Sequence, residues 1–249
     1  MGISCADFDG DGRVDIYLTH YFNAKNTLYR NLGGLNFIDD SYRSRAAATS
    51  INSLGFGTVP LDFDRDGFAD LFVANGHVLG PNVSPWEMEP QLLWNDGRGR
   101  FHDVGNNVGG YFASKWIGRC AAGADYDNDG DLDLAITHLE RPAVLLRNDT
   151  HSNRRYIGVE LRTRSRIPPI GGRVIVKAGE REHSRSVQAG GSYLASPDSR
   201  LLFGLVDHEG PVDVEVRWPD GTISSLKALS TDRYWVLGDD GSAREGVAR

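Results

Sequence analysis

The sequence predicts an all-β chain in two parts, on three observations. The pattern D-x-D-x-D-G-x-x-D occurs at 7–15, 62–70 and 125–133. Each copy runs straight into a segment rich in β-branched and aromatic residues: "IYLTH", "LFVAN" and "LAITH". From 155 onward the pattern stops, and short alternating runs replace it, separated by turn signals such as "SPDS" and "PDG". The predicted boundary divides 1–150 from 151–249.

Taken in chain order, each loop is followed by one strand and then by a second run, "LYRN" (28–31), "LLWN" (92–95) and "LLRN" (145–148). The first two copies continue through a Gly-rich turn into an aromatic residue, "LGGLNF" and "DGRGRF". The loops repeat after 55 and 63 residues, and most of that difference is the segment "GHVLGPNVSPWEMEP" (76–90) inserted in the second copy. Several short strands in a period of this length mark a β-propeller blade. About three blades fit into 1–150, fewer than the four to eight of a closed ring. The expectation is therefore a partial propeller whose remaining blades lie in a longer protein. In the second part the runs "YIGVELRT" (156–163), "GRVIVKAG" (172–179), "HSRSVQAG" (183–190), "RLLFGL" (200–205), "VDVEVRW" (212–218) and "RYWVLG" (233–238) predict a small antiparallel sandwich or barrel.

Charge supports the division. Residues 1–149 carry 21 acidic and 12 basic side chains, and the remainder carries 13 and 15. Thirteen of the 21 acids sit in the three loops, so the acidity is local, and that face is a poor match for nucleic acid. No apolar run approaches the 18 residues that a membrane-spanning helix needs, and "MGISCADFDG" has neither the basic start nor the apolar centre of a signal peptide. Cys5 and Cys120 are the only cysteines, too few for a disulfide framework or a zinc site.

Like charges at this spacing repel unless a cation sits among them. A solvated acidic turn is the plain alternative, but three copies with one spacing and one following strand argue against it. Short carboxylates at positions 1, 3 and 5 can turn toward one centre, the Gly at 6 permits a sharp bend, position 7 can offer its carbonyl, and the Asp at 9 closes the set. Five or more oxygens suit Ca²⁺, with Mg²⁺ second because it prefers a smaller octahedron and retains water. An EF-hand is excluded, since position 12 is Leu18, Val73 and Ile136 rather than Glu, and strands rather than helices follow.

These loops and strands resemble the FG-GAP/VCBS family of calcium-binding propeller blades, also found in integrin α-chain heads. The resemblance covers about 1–149 and implies three Ca²⁺ sites. The first would use Asp7, Asp9, Asp11 and Asp15 with the carbonyl of Arg13. The second would use Asp62, Asp64, Asp66 and Asp70 with the carbonyl of Phe68. The third would use Asp125, Asp127, Asp129 and Asp133 with the carbonyl of Asp131. The segments "GGRVIVKAG", "SVQAGGSYLASPDSRLLFGL" and "VDVEVRWPDG" resemble the ASPIC/UnbV domain, which commonly follows such repeats, as in the cartilage acidic protein family. Gly172 stands where that domain usually has Ala.

No G-x-S-x-G or H-E-x-x-H motif is present. His20 and His138 occupy equivalent repeat positions, where the second copy has Asn75, which points to a hydrogen bond at the strand exit rather than catalysis. The expectation is a non-enzymatic, secreted or cell-surface calcium-binding protein for adhesion or ligand binding. Its partner would be an extracellular protein or glycan, met through loop 76–90, where Trp86 either projects as an anchor or folds back to cap a neighbouring blade. The alternative is part of an extracellular enzyme on a calcium propeller, such as a polysaccharide lyase.

Overall fold

A computed structural model describes residues 1–150, 153–165 and 167–246. The boundary expected after residue 150 adjoins residues 151–152, which lie outside that set. Strands dominate, and the helices α1 (Ala46–Ser50) and α2 (Gly105–Val108) are single short turns in connections. The all-β expectation holds.

The first sheet is an antiparallel meander of β1 (Ile3–Ala6), β2 (Asp15–Leu18), β3 (Thr27–Gly33) and β4 (Asn36–Asp39). The second repeats it with β5 (Gly55–Leu61), β6 (Asp70–Asn75), β7 (Gln91–Asn95) and β8 (Phe101–Asp103). The third has β9 (Gly118–Ala124), β10 (Asp133–His138) and β11 (Val144–Leu146), with no fourth strand among the described residues. In each sheet the acidic nonapeptide joins the first strand to the second, and its closing Asp is the first residue of that second strand.

Period-2 alternation explains how the sheets stack. Every residue of β6 is buried. Leu71 and Val73 point into a core shared with Phe8, Tyr17, Leu28 and Phe101 of the first and second sheets. Phe72 and Ala74 point the other way, into a core shared with Ala121, Leu134 and Ile136 of the third. The second sheet thus lies between the other two, which is why "LFVAN" reads as an unbroken apolar run. The edge strands β1, β5 and β9 lie side by side.

Two further sheets follow: β15-β12-β18-β19 and β14-β13-β16-β17. Their strands are β12 (Tyr156–Arg162), β13 (Arg173–Ala178), β14 (Arg181–Ser186), β15 (Leu201–Gly204), β16 (Val212–Arg217), β17 (Ile223–Leu229), β18 (Tyr234–Gly238) and β19 (Ala243–Glu245). Ile157, Val159, Phe203 and Leu237 from one sheet and Val174, Val176, Val214 and Val216 from the other share a single apolar core with Trp218.

Two expectations need correction. The sheets are not wholly antiparallel, since β12 pairs with β18 in parallel. The run 183–190 is not one strand either. The chain leaves β14 after Ser186 and crosses to the first part, where Gln188 Nε2 donates to Cys5 O (2.9 Å), the Thr58 amide donates to Ser192 Oγ (3.1 Å) and the Asp198 amide donates to Gly123 O (3.1 Å). Segment 188–198 therefore takes up backbone groups along β1, β5 and β9, at edges that would otherwise stand open.

Candidate metal centre

The three nonapeptides fold alike because the same groups are tied to the same atoms. Position 4 (Gly10, Arg65, Asn128) and position 6 (Gly12, Gly67, Gly130) both have positive φ. Glycine meets that demand without strain. The bend turns the position-6 amide onto Oδ2 of the first Asp, at 2.7 Å in Asp7, 3.0 Å in Asp62 and 2.9 Å in Asp125. Likewise the position-7 amides of Arg13, Phe68 and Asp131 donate to Oδ1 of Asp11, Asp66 and Asp129 at 2.8 to 2.9 Å.

The position-9 aspartates bridge the loop to the strands. Asp15, Asp70 and Asp133 are almost wholly buried. Each accepts from the amide at position 2 (Phe8, Phe63, Tyr126; 3.0 to 3.1 Å) and, on its other oxygen, from an Asn amide (Asn31, Asn95, Asn148; 2.8 Å). These are the asparagines of "LYRN", "LLWN" and "LLRN". Asn31 Nδ2 stays within its own repeat, on Val14 O (3.0 Å), but the other two side chains connect neighbouring sheets. Asn95 Nδ2 donates to Phe8 O (2.8 Å) and Asn148 Nδ2 to Phe63 O (3.0 Å). These two asparagines thus hold the loop of one sheet to the next, a role visible in the sequence only as a residue repeated at a fixed place.

Carboxylate oxygens converge in all three loops. Asp7, Asp9 and Asp15, then Asp62, Asp64 and Asp66, then Asp125, Asp127 and Asp133 each present oxygens within 4.8 Å of one another. Asp11, Asp70 and Asp129 are in their loops but outside these closest sets. Asp11 pairs with the Arg13 guanidinium, and Asp131 accepts from Arg65 Nε at 2.7 Å. Burial brings the pKa of Asp15 and Asp131 to about 6 and that of Asp62 to about 7, and pushes Asp70 well up.

The fit to a hard cation is visible at Asp62. Its Oδ2 takes the Gly67 amide, while its Oδ1 is buried without any hydrogen-bond partner. A buried carboxylate oxygen left unpartnered costs free energy, and a cation among Asp62, Asp64 and Asp66 would satisfy it.

A cavity of about 460 Å³ lies between β1, β5 and β9 on one side and β14, β15 and segment 197–200 on the other. Arg185 stands in it, over the Phe203 ring at 5.7 Å, with Asp62, Asp70 and Asp7 as its nearby negative charges.

His20 and His138 are placed as strand-exit partners. His20 Nε2 is 3.0 Å from Thr27 Oγ1, and His138 Nε2 is 2.8 Å from Tyr111 OH. Trp86 in segment 76–90 is half-buried rather than exposed. Its backbone carbonyl accepts from the His77 amide, and the neighbouring Met88 bridges to Trp116 and packs with Leu54 and Phe56. The exposed apolar residues are Val78 and Leu79.

Comparisons with known proteins agree with this arrangement. A family model described as an FG-GAP-like repeat matches residues 7–73 and 62–136, and one described as ASPIC and UnbV matches 162–244. The chain is 27% identical over 245 residues to cartilage acidic protein 1 of Homo sapiens, covering 95% of this chain and 35% of that protein. It is 28% identical over 248 residues to cartilage acidic protein 1 of Xenopus tropicalis, covering 95% and 36%. The chain thus spans about a third of the length of the curated relatives it matches.

Proposed function

The chain belongs to the FG-GAP-like repeat family, and from that membership we propose that it is a non-enzymatic, secreted or cell-surface calcium-binding segment that serves adhesion or ligand binding. The three loop-bearing sheets are read as three blades of a β-propeller (1–150), and the two sheets behind them as a β-sandwich (151–249). Further blades would come from outside these 249 residues, consistent with relatives about three times as long.

The observation that carries the metal reading is the buried, unpartnered Asp62 Oδ1 beside two more carboxylates. Bound Ca²⁺ would supply a compact positive charge to which several carboxylates can turn at once. Asp7, Asp9, Asp11 and Asp15 with the Arg13 carbonyl would hold one ion. Asp62, Asp64, Asp66 and Asp70 with the Phe68 carbonyl would hold the second, and Asp125, Asp127, Asp129 and Asp133 with the Asp131 carbonyl the third. Loops of this kind in extracellular modules bind at about 10⁻⁴–10⁻³ M, an affinity matched to calcium outside cells. The secreted or cell-surface reading draws its support from the cartilage acidic protein relatives, and no helix among the described residues is long and apolar enough to cross a membrane.

The surface offered to an extracellular protein or glycan is the tip of segment 76–90. Pro81 and Pro85 restrict this loop, so it loses less entropy on binding.

Calorimetric titration with Ca²⁺ tests the reading. The chain takes up three ions, and Asp127→Ala takes up two. Three ions bound by Asp127→Ala would reduce the third loop to a turn.

A further inference from the structure

We infer that the C-terminal domain holds the calcium loops in their binding shape, so that ion uptake and docking of that domain are coupled. The inference rests on the calcium reading above. Its basis is that three separate strands of the domain land on the same position of three separate loops. Each landing point is the position-6 glycine.

In the first loop the Arg173 guanidinium, on β13, donates to Gly12 O. In the second, His183 on β14 lies 3.2 Å from Gly67 O through Nδ1. A Cβ on Gly67 would fall 2.5 Å from the His183 ring. In the third, the Tyr156 ring at the start of β12 covers Gly130, where a Cβ would fall 2.2 Å from it. Gly67 and Gly130 thus meet two demands, a positive φ and the absence of a side chain beneath the docked domain, while Gly12 meets the first.

The third loop is held most fully. Tyr234, on β18, donates its hydroxyl to Asp125 Oδ2 at 2.6 Å. That oxygen also takes the Gly130 amide, while Oδ1 accepts from the Asp129 amide within the loop. The phenol therefore fixes the rotation of the first carboxylate from the side away from Oδ1. Arg200 donates to Asp125 O and to Asn128 Oδ1, both at 2.5 Å, and its guanidinium lies over the Tyr234 ring at 4.6 Å. Arg200 is itself oriented by Asp198. Tyr234, Arg200, His183 and Arg173 act as positioning residues, since they reach the loop backbone or an outer carboxylate oxygen.

A loop already held in shape loses less conformational entropy when an ion enters. Reciprocity then requires that ions in the loops favour the docked domain by the same factor. Tyr234→Phe probes this without changing charge, because it removes one hydrogen bond and keeps the ring over the loop.

Two measurements on the full chain decide it. In calorimetric titration, Tyr234→Phe still binds three ions, but one of them about fivefold or more weakly. In hydrogen exchange of the wild-type chain, Ca²⁺ slows the amides of β14 and β18 as well as those of the loops. The second readout needs no variant and stands if Tyr234→Phe folds poorly. Three ions bound with unchanged affinity in the variant, or exchange slowed only within the loops, overturns the coupling and leaves the calcium reading intact. A wild-type chain that binds no Ca²⁺ removes both.

Discussion

Asn95 shows how much one repeated side chain can carry. It is fully buried, and its Nδ2 donates to Phe8 O at 2.8 Å and Ala69 O at 2.9 Å, while its backbone amide donates to Asp70. Truncation to Ala removes both Nδ2 bonds, strands two buried carbonyls and takes away the Oδ1 that accepts from the Gly97 amide (3.2 Å). Each stranded carbonyl costs about 1–3 kcal/mol, so Asn95→Ala lowers stability by roughly 2–6 kcal/mol, read from the denaturant midpoint. A change below about 0.5 kcal/mol would remove Asn95 from the contacts that join neighbouring sheets. The sequence displays the recurrence of Asn31, Asn95 and Asn148 but not its use, because an asparagine's partners are carbonyls far off in the chain. The carboxylate spacing is legible for the opposite reason. Positions 1 to 9 meet within a single turn, so sequence distance and spatial distance nearly coincide. Positive φ at position 4 escapes the sequence, since Gly10, Arg65 and Asn128 share no type.

The strands after the loops are equally legible, because a run buried on both faces has no polar member to obscure it, as in β6. Pairing partners are less so. The parallel match of β12 with β18 joins residues more than seventy positions apart, and alternation alone gives no direction. The departure of 187–191 from the sheet follows from Gly190 and Gly191 and from hydrogen-bond partners on another part of the chain. Segment 76–90 shows the same limit. Its prolines announce a projecting loop, but the pairing of Met88 with Trp116 at the loop's end is not visible in the sequence. Under the proposed function the contact surface would be Val78 and Leu79, which are 48% and 62% exposed. Leu79→Ser is therefore expected to weaken binding to a panel of glycans and matrix proteins with the melting temperature unchanged, whereas Trp86→Ala lowers the melting temperature. A Leu79→Ser chain that binds like wild type while Trp86→Ala loses binding at full stability would return the contact to Trp86.

Across the whole molecule, desolvation of the loop carboxylates governs the response to pH. Burial raises Asp62 to about 7 and Asp15 and Asp131 to about 6, from an ordinary 3.8. Between about pH 4 and 7 the metal-free folded chain holds more protons than the unfolded one, so its stability falls as pH rises through that window. His138 and His183, whose pKa values burial lowers, act in the opposite sense below 6.5 but are outnumbered by the raised loop aspartates. In chelator, the melting temperature is expected to be higher at pH 5 than at pH 7.5. Calcium requires the ionised carboxylates, so its stabilising effect grows over the same interval. A chelated chain that becomes more stable between pH 5 and 7.5 would contradict this account of the loops.

The formal charge of −7 points the same way, since most of the acids of the first part are gathered in three places where a cation relieves their repulsion. The most direct measurement is the thermal melt of the full chain at pH 7.5 in chelator and in 10 mM Ca²⁺. With dissociation constants of about 10⁻⁴–10⁻³ M, each filled site stabilises the fold by about 1.4–2.7 kcal/mol. Three sites together raise the melting temperature by roughly 8–30 °C in a chain of this size. A melt that is the same in chelator and in calcium would contradict the reading of the three loops as calcium sites.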